Sequence, residues 1–291
     1  MSVAQPALWG IIPAVDAGSR IQPLAFLKEL LPVGSHLERG VERPRAVSEH
    51  LVERMLLAGA SKICFVISSG TSELLDYFGA SVGQASLSYV VQPNPAGFCD
   101  ALFRALPLIP PDDLVLVGLP GTIWFPEDGF SALGAHTFAF LLFPVERPEL
   151  FDAVVTDGDG RVVEIQVRRR GAASRWIWGA FKLTGAVLQQ LYRLWCERNR
   201  RDEELGPLVN EYITRGGMAR GVHAGHMYVD VGTLHGYREA LRLLNDRVHP
   251  QGAAETERHG SDGGHAHEGR LEHEGRLEHE GRLEHEGARP S

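Results

Sequence analysis

At 291 residues and 44% hydrophobic content, the chain has ample apolar material for one α/β core of roughly 200 to 250 residues plus a tail. Its formal charge of −8 at pH 7 argues against a general nucleic-acid binder. No apolar stretch approaches the ~18 uncharged residues that span a bilayer, and no basic region followed by a long apolar one opens the chain, so a cytoplasmic protein without membrane contact is expected. Cys64, Cys99 and Cys196 lie far apart and suggest neither a disulfide framework nor a Cys-x-x-Cys metal site; they read as small buried hydrophobes.

Taken in order, Leu8 to Val15 is an apolar run that stops at Asp16-Ala17-Gly18-Ser19-Arg20, the pattern of a strand covered on both faces and feeding a small-residue loop. Gly34 to Gly40 is polar and turn-rich. From Ala46 to Ala58 the spacing of Val47, Leu51, Val52, Met55 and Leu56 predicts an amphipathic helix ended by Gly59. Strands follow at Lys62 to Ser68 and Leu87 to Val91, with a short helix at Ser72 to Phe78 between them. A helix at Asp100 to Leu106 and a strand at Leu114 to Val117 complete an alternation that predicts a parallel sheet with helices on both faces.

The second half changes character. Phe138 to Phe143 and Ala153 to Thr156 are apolar strands, Asp157-Gly158-Asp159-Gly160 is a hairpin turn, and Val162 to Val167 and Trp176 to Phe181 extend an antiparallel part of the sheet. Helices are predicted at Val187 to Arg200, Leu205 to Thr214 and about Leu234 to Val248, the last following a strand at Met227 to Thr233. Beyond Pro250 a six-residue repeat, Gly-Arg-Leu-Glu-His-Glu, starts at Gly269, Gly275 and Gly281. Six residues match no helical period and each repeat carries a Gly, so residues 249–291 are expected to be a disordered low-complexity tail after a domain over residues 1–248.

Ligands in such sheets bind outside the carboxyl ends of the strands, which gathers the loops at Asp16 to Arg20, Gln92 to Gly97 and Gly118 to Thr122 on one edge. The first loop exposes backbone N–H groups, with Arg20 and Lys28 after it, and suits a phosphate; an ordinary strand-to-helix connection is the alternative. Gln92-Pro93-Asn94-Pro95-Ala96-Gly97 offers an amide that donates and accepts and a Gly against which a flat ring can lie, or else a Pro-rich loop. Asp230, in Tyr228-Val229-Asp230-Val231-Gly232-Thr233, reads from its residues alone as a turn or helix-capping acid.

These segments, in this order, resemble the sugar-1-phosphate nucleotidyltransferases, the glucose-1-phosphate thymidylyl- and uridylyltransferase group. Gly18, Ser19, Arg20, Ile21, Pro23, Lys28, Leu30, Pro32 and Val33 stand in the places of that family's Gly-x-Gly-Thr-Arg-Leu loop and its Pro-Lys element. Gln92 to Gly97 is similar to its Gln-x-x-Pro-x-Gly segment, Asp230 to Thr233 to its Asp-x-Gly-Thr element, and Trp178 to Phe181 to its Gly-x-Tyr strand.

The resemblance implies a three-layer α/β/α domain with a mixed sheet, the Rossmann-like nucleotide-diphospho-sugar transferase fold. It implies condensation of a nucleoside triphosphate, dTTP or UTP, with a sugar 1-phosphate, glucose 1-phosphate, to an NDP-sugar and pyrophosphate. In the implied roles Arg20 and Lys28 are catalytic, and Ala14, Gly18, Ser19, Gln92 and Gly97 bind nucleotide. Gly179 and Arg168 meet the sugar phosphate, and Asp230 holds Mg²⁺; for Asp16, where that family has Gly, three options stay open: turning away from the phosphate, pairing with Arg20, or binding metal as a second carboxylate beside Asp230.

Three positions depart from the pattern: Asp16 replaces the first loop Gly, Gly121 the second metal aspartate, and Val167 the sugar-binding Glu. They open the alternative of a relative that binds nucleotide or NDP-sugar without turnover, for regulation or assembly. A further alternative gives the tail, with His259, His265, His267, His273, His279 and His285 among carboxylates, a divalent-metal role. Self-association into a homo-oligomer is left open.

Overall fold

The computed structural model describes residues 6–15, 27–94 and 96–248. Successive side chains of a strand point to opposite faces, and the central strands bury both of theirs. In β1 (Leu8–Ala14), Trp9 and Ile11 join one apolar cluster while Ile12 and Ala14 join another. The hairpin β2 (Pro32–Glu38) and β3 (Val41–Ala46) leads into α1 (Val47–Leu57). In β4 (Lys62–Ile67), Cys64 and Val66 face the first cluster and Ile63, Phe65 and Ile67 the second.

Next come α2 (Glu73–Phe78), β5 (Ser81–Val82), β6 (Ala85–Val91), α3 (Gly97–Arg104), β7 (Leu114–Gly118) and β8 (Thr122–Phe125). The second half runs β9 (Phe138–Pro144), β10 (Asp152–Thr156), β11 (Val162–Val167), β12 (Trp176–Thr184), α4 (Gly185–Glu197) and α5 (Leu205–Thr214). It closes with β13 (Arg220–Val222), β14 (Met227–Asp230) and α6 (Leu234–Val248).

The main sheet has ten strands along the path β11-β10-β12-β7-β1-β4-β6-β5, with β9 and β13 attached through β12. Strand β1 is parallel to β4 and β7, and β4 to β6, whereas β12 is antiparallel to β7, β9 and β10. The expected mixed sheet is therefore present. Side chains of α3, α4 and α5 cover one face, and Leu51, Val52 and Met55 of α1 the other, which makes the three layers. The turn after β10 is the expected hairpin, with Gly160 at φ +78°. Cys64 and Cys99 are buried and Cys196 half-buried, as thiols.

Sequence patterning missed two pairings. Residues 34–40, read as a polar turn, form most of β2 and the turn into β3, and Thr122, read as the end of a loop, opens β8, which runs antiparallel to β14. Both are held by a third core in which Leu31, Val33, Ile123, Phe125, Val229 and Val231 pack with Ala240, Leu241 and Leu244 of α6. Helix α4 stops at Glu197, short of the predicted Arg200, because Asn199 and Arg200 adopt positive φ. Among the described residues no helix is long and apolar enough to cross a membrane.

Candidate functional site

A cavity of about 430 Å³ opens where the carboxyl ends of β1, β6 and β7 meet, a size suited to a small organic ligand. Pro13 and Val15 reach it from β1, Gln92 from β6, and Leu119 to Thr122 from β7. Asp230 and Gly232 close it from β14, and Arg168 and Asp152 from the β10/β11 hairpin. Lys28, Gln92, Gly97, Arg168 and Asp230, spread over two hundred residues of chain, thus line one space.

Two expected site residues sit one step back from the wall. Ala14 is buried between the lining residues Pro13 and Val15. Gly179 follows the lining Trp178, and a Cβ there would lie 2.6 Å from the Tyr228 ring and 2.7 Å from Phe143, so the two rings occupy the space that a side chain would need. Asp16, Gly18, Ser19 and Arg20 lie outside the described residues.

Gln92 is fully buried. Its Nε2 donates to Asp100 Oδ2 at 2.7 Å and to the Gly97 carbonyl at 3.4 Å, while Oε1 has no hydrogen-bond partner among the described residues. A buried acceptor left without a donor is costly, about 1–3 kcal/mol, unless a ligand supplies one. Gly97 begins α3 at φ +81°, and a Cβ there would meet Glu203 Cβ and its carbonyl oxygen at 2.6 Å. The segment before α5 is clamped to α3 at this point, where Cys99 N–H donates to the Glu203 carbonyl.

Asp230 ends β14, and its Oδ1 accepts the Gly232 N–H at 2.8 Å, so the turn-acid and site readings coexist in one side chain. Opposite it in the register stands Thr122, and Val231 N–H donates to the Gly121 carbonyl. A Cβ at Gly121 would touch nothing within 4 Å. Lys28 lies 3.8 Å from Glu29, and Arg168, at φ +40°, lies 3.3 Å from Glu204.

Sequence reasoning missed the carboxylates Glu29, Asp152, Glu203 and Glu204. With Asp230 they make five lining carboxylates against the two cations Lys28 and Arg168, among the described residues. Burial pushes the Asp152 carboxyl up to about 6; Glu204 adds to the rise and Arg168 opposes it. The available signal was Asp152 opening an otherwise apolar strand, an odd place for a charge. No group of three or more His, Cys, Asp or Glu side chains forms a ready metal centre among the described residues.

An α/β sheet with a ligand-sized cavity at its carboxyl edge, lined by a buried amide, two cations and hard oxygen donors, has a Rossmann-like architecture, in which ligands are taken at that edge. The nucleotidyl transferase family model matches residues 11–247, and the chain belongs to that family as a divergent member. It is 26% identical over 250 residues to a glucose-1-phosphate thymidylyltransferase of Neisseria meningitidis, covering 81% of this chain and 82% of the relative. It is 22% identical over 241 residues to the bifunctional protein GlmU of Methanocaldococcus jannaschii, covering 82% of this chain but 54% of that longer protein.

Among solved structures, a Bacillus anthracis protein described as a glucose-1-phosphate thymidylyltransferase, in complex with sucrose, superposes with a TM-score of 0.69 at 22% identity. That match covers 82% of this chain and 96% of the other. A UTP-bound UGPase of Acinetobacter baumannii gives 0.66 at 17%, covering 84% and 95%. These likenesses establish the nucleotide-diphospho-sugar transferase fold.

Proposed function

We propose that residues 1–248 form a nucleotidyltransferase domain that joins a nucleoside triphosphate, dTTP or UTP, to a sugar 1-phosphate, glucose 1-phosphate, with release of pyrophosphate. The observation that carries this reading is the Gln92 amide, buried in the cavity wall with its acceptor end unsatisfied, where a nucleobase would supply the donor. Names of relatives that act on glucose 1-phosphate support the choice of sugar.

In this reading a phosphate oxygen of the sugar phosphate attacks the α-phosphorus as the bond to the pyrophosphate oxygen breaks, with no covalent enzyme intermediate. Such a step is accelerated by aligning two anions and neutralising the charge that moves to the leaving group. Lys28, with Arg20, meets the triphosphate. Arg168 meets the sugar phosphate, which must draw it from Glu204. Gly97, whose missing side chain makes room for Glu203, borders the base beside Gln92; Ala14, Gly18 and Ser19 border the nucleotide, and Gly179 shapes the sugar end through Tyr228.

A cavity with more carboxylates than cations suits a polyanion only if further positive charge enters with it. Asp230, fixed by the Gly232 N–H, offers the hard oxygen that Mg²⁺ prefers, and one or two carboxylates plus substrate phosphates and waters are a usual Mg²⁺ shell. Asp230 fits the ion on this ground, and the second holder in this reading is Asp16, which lies outside the described residues. When bound, Mg²⁺ would supply charge neutralisation at the phosphates.

The test is pyrophosphate release with Mg²⁺, glucose 1-phosphate and each common triphosphate, beside Asp230→Ala and Lys28→Ala. Release with dTTP or UTP that drops at least a hundredfold in both variants is expected. A second reading, a relative that binds the nucleotide without turnover, draws on Gly121 and Val167, which supply no carboxylate at two motif positions. Tight triphosphate binding without release would favour it.

A further inference from the structure

A primary amide carries donors at one end and an acceptor at the other, so its orientation decides what a ligand meets. Both donor contacts of Gln92 are made inside the protein, to Asp100 Oδ2 and the Gly97 carbonyl. Turning the amide over would set Oε1 against a carboxylate and a carbonyl, two acceptors, so the neighbours hold the orientation. Arg104, one turn further along α3, donates to the same carboxylate, with Nε 3.1 Å from Oδ2, the oxygen that the amide also uses, and Nη2 3.2 Å from Oδ1.

We propose that Asp100 is a positioning residue for base choice. By engaging the donor end of the Gln92 amide it presents an acceptor to the cavity, and it selects a base whose pairing edge carries a ring N–H. Uracil and thymine do so at N3. Cytosine, of the same size, presents a lone pair there. This inference rests on the nucleotide reading of the site given above.

The full chain, as wild type, Asp100→Asn and Arg104→Ala, is titrated in Mg²⁺ with UTP, CTP and N3-methyluridine triphosphate, and KM and kcat are taken where turnover is seen. Wild type should prefer UTP over both others by about tenfold or more, the value of one buried hydrogen bond. An Asn amide at 100 donates as well as accepts, so Gln92 can turn over. Asp100→Asn should lose most of the UTP-over-CTP preference, through KM and not kcat. Arg104→Ala, which keeps the carboxylate, should retain it.

Wild-type preference persisting in folded Asp100→Asn overturns the inference, and so does equal loss in the two variants, which would mark a merely structural contact. Wild-type preference for CTP overturns it as well. Folded protein that binds no triphosphate overturns the nucleotide reading and this inference with it, whereas UTP binding with unchanged selectivity in Asp100→Asn overturns this inference alone.

Discussion

Replacing Asp152 by Asn should stabilise the fold, and only above the pH at which the unfolded carboxyl ionises. The Asp152 carboxyl, ordinarily at 3.8, is held at about 6 because the cavity wall desolvates it and Glu204 faces it. A carboxyl raised on folding leaves stability intact below 3.8 and withdraws it as pH climbs through about 6. Two units at 1.36 kcal/mol each amount to about 3 kcal/mol at neutral pH. For a domain of this size that corresponds to roughly 6–12 °C in Tm.

His50 works in the opposite sense. Burial, with Arg45 and Arg54 adding to it, lowers its pKa from 6.5 to about 3, so its contribution is present above 6.5 and lost as pH falls towards 3. The wild-type curve therefore mixes two slopes, and the difference between wild type and Asp152→Asn isolates one. Thermal melts of both proteins from about pH 4 to about pH 8 should diverge between the two ends of that range. A difference that is flat with pH, or a variant less stable at about pH 8, would refute the reasoning.

Three further expectations follow from the same geometry. Gly121→Asp, placed where a side chain meets no atom within 4 Å and beside the strand partner of Asp230, should tighten Mn²⁺ or Mg²⁺ binding about tenfold or more in calorimetric titration; unchanged affinity would remove Gly121 from the metal's surroundings. Gly97→Ala, at φ +81° and 2.6 Å from Glu203, should cost about 2 kcal/mol or more by urea denaturation and raise the triphosphate KM, since Gln92 bonds the Gly97 carbonyl; a neutral variant would contradict the clamp. Arg54 is 1% exposed and donates to the carbonyls of Trp124 and His50 at 2.6 Å while stacking on the Trp124 ring, so Arg54→Ala should lose about 3–5 kcal/mol in the same assay, and a loss under about 1 would show that water replaces those bonds.

What sequence revealed and what it hid divide along a physical line. Strands β1, β4 and β7 were legible because both faces are buried, so every residue but the exposed Lys62 that opens β4 is apolar and no partner need be known to see the run. The β2/β3 hairpin was not, because its residues are largely exposed and its anchor is remote: Tyr237 donates to the Pro32 carbonyl across 205 residues, and Leu244 of α6 lies 3.0 Å from where a Cβ of Gly34 would be. Strand β8 depends in the same way on β14, a hundred residues on.

The site divides similarly. Lys28, Gln92, Gly97 and Asp230 were legible as single residues in ordered motifs, and the fold brings them to one cavity. Asp152 was not, because its character comes first from burial in the cavity wall and then from Glu204 and Arg168, which reach it from the segment before α5 and from the end of β11. The Gln92 case lies between these limits. Asp100 is only eight residues away, at the start of a predicted helix, yet which end of the amide faces a ligand becomes readable only once α3 turns Asp100 back onto it. Residue type sets what chemistry a position offers, and the direction in which it is offered is written in its neighbours.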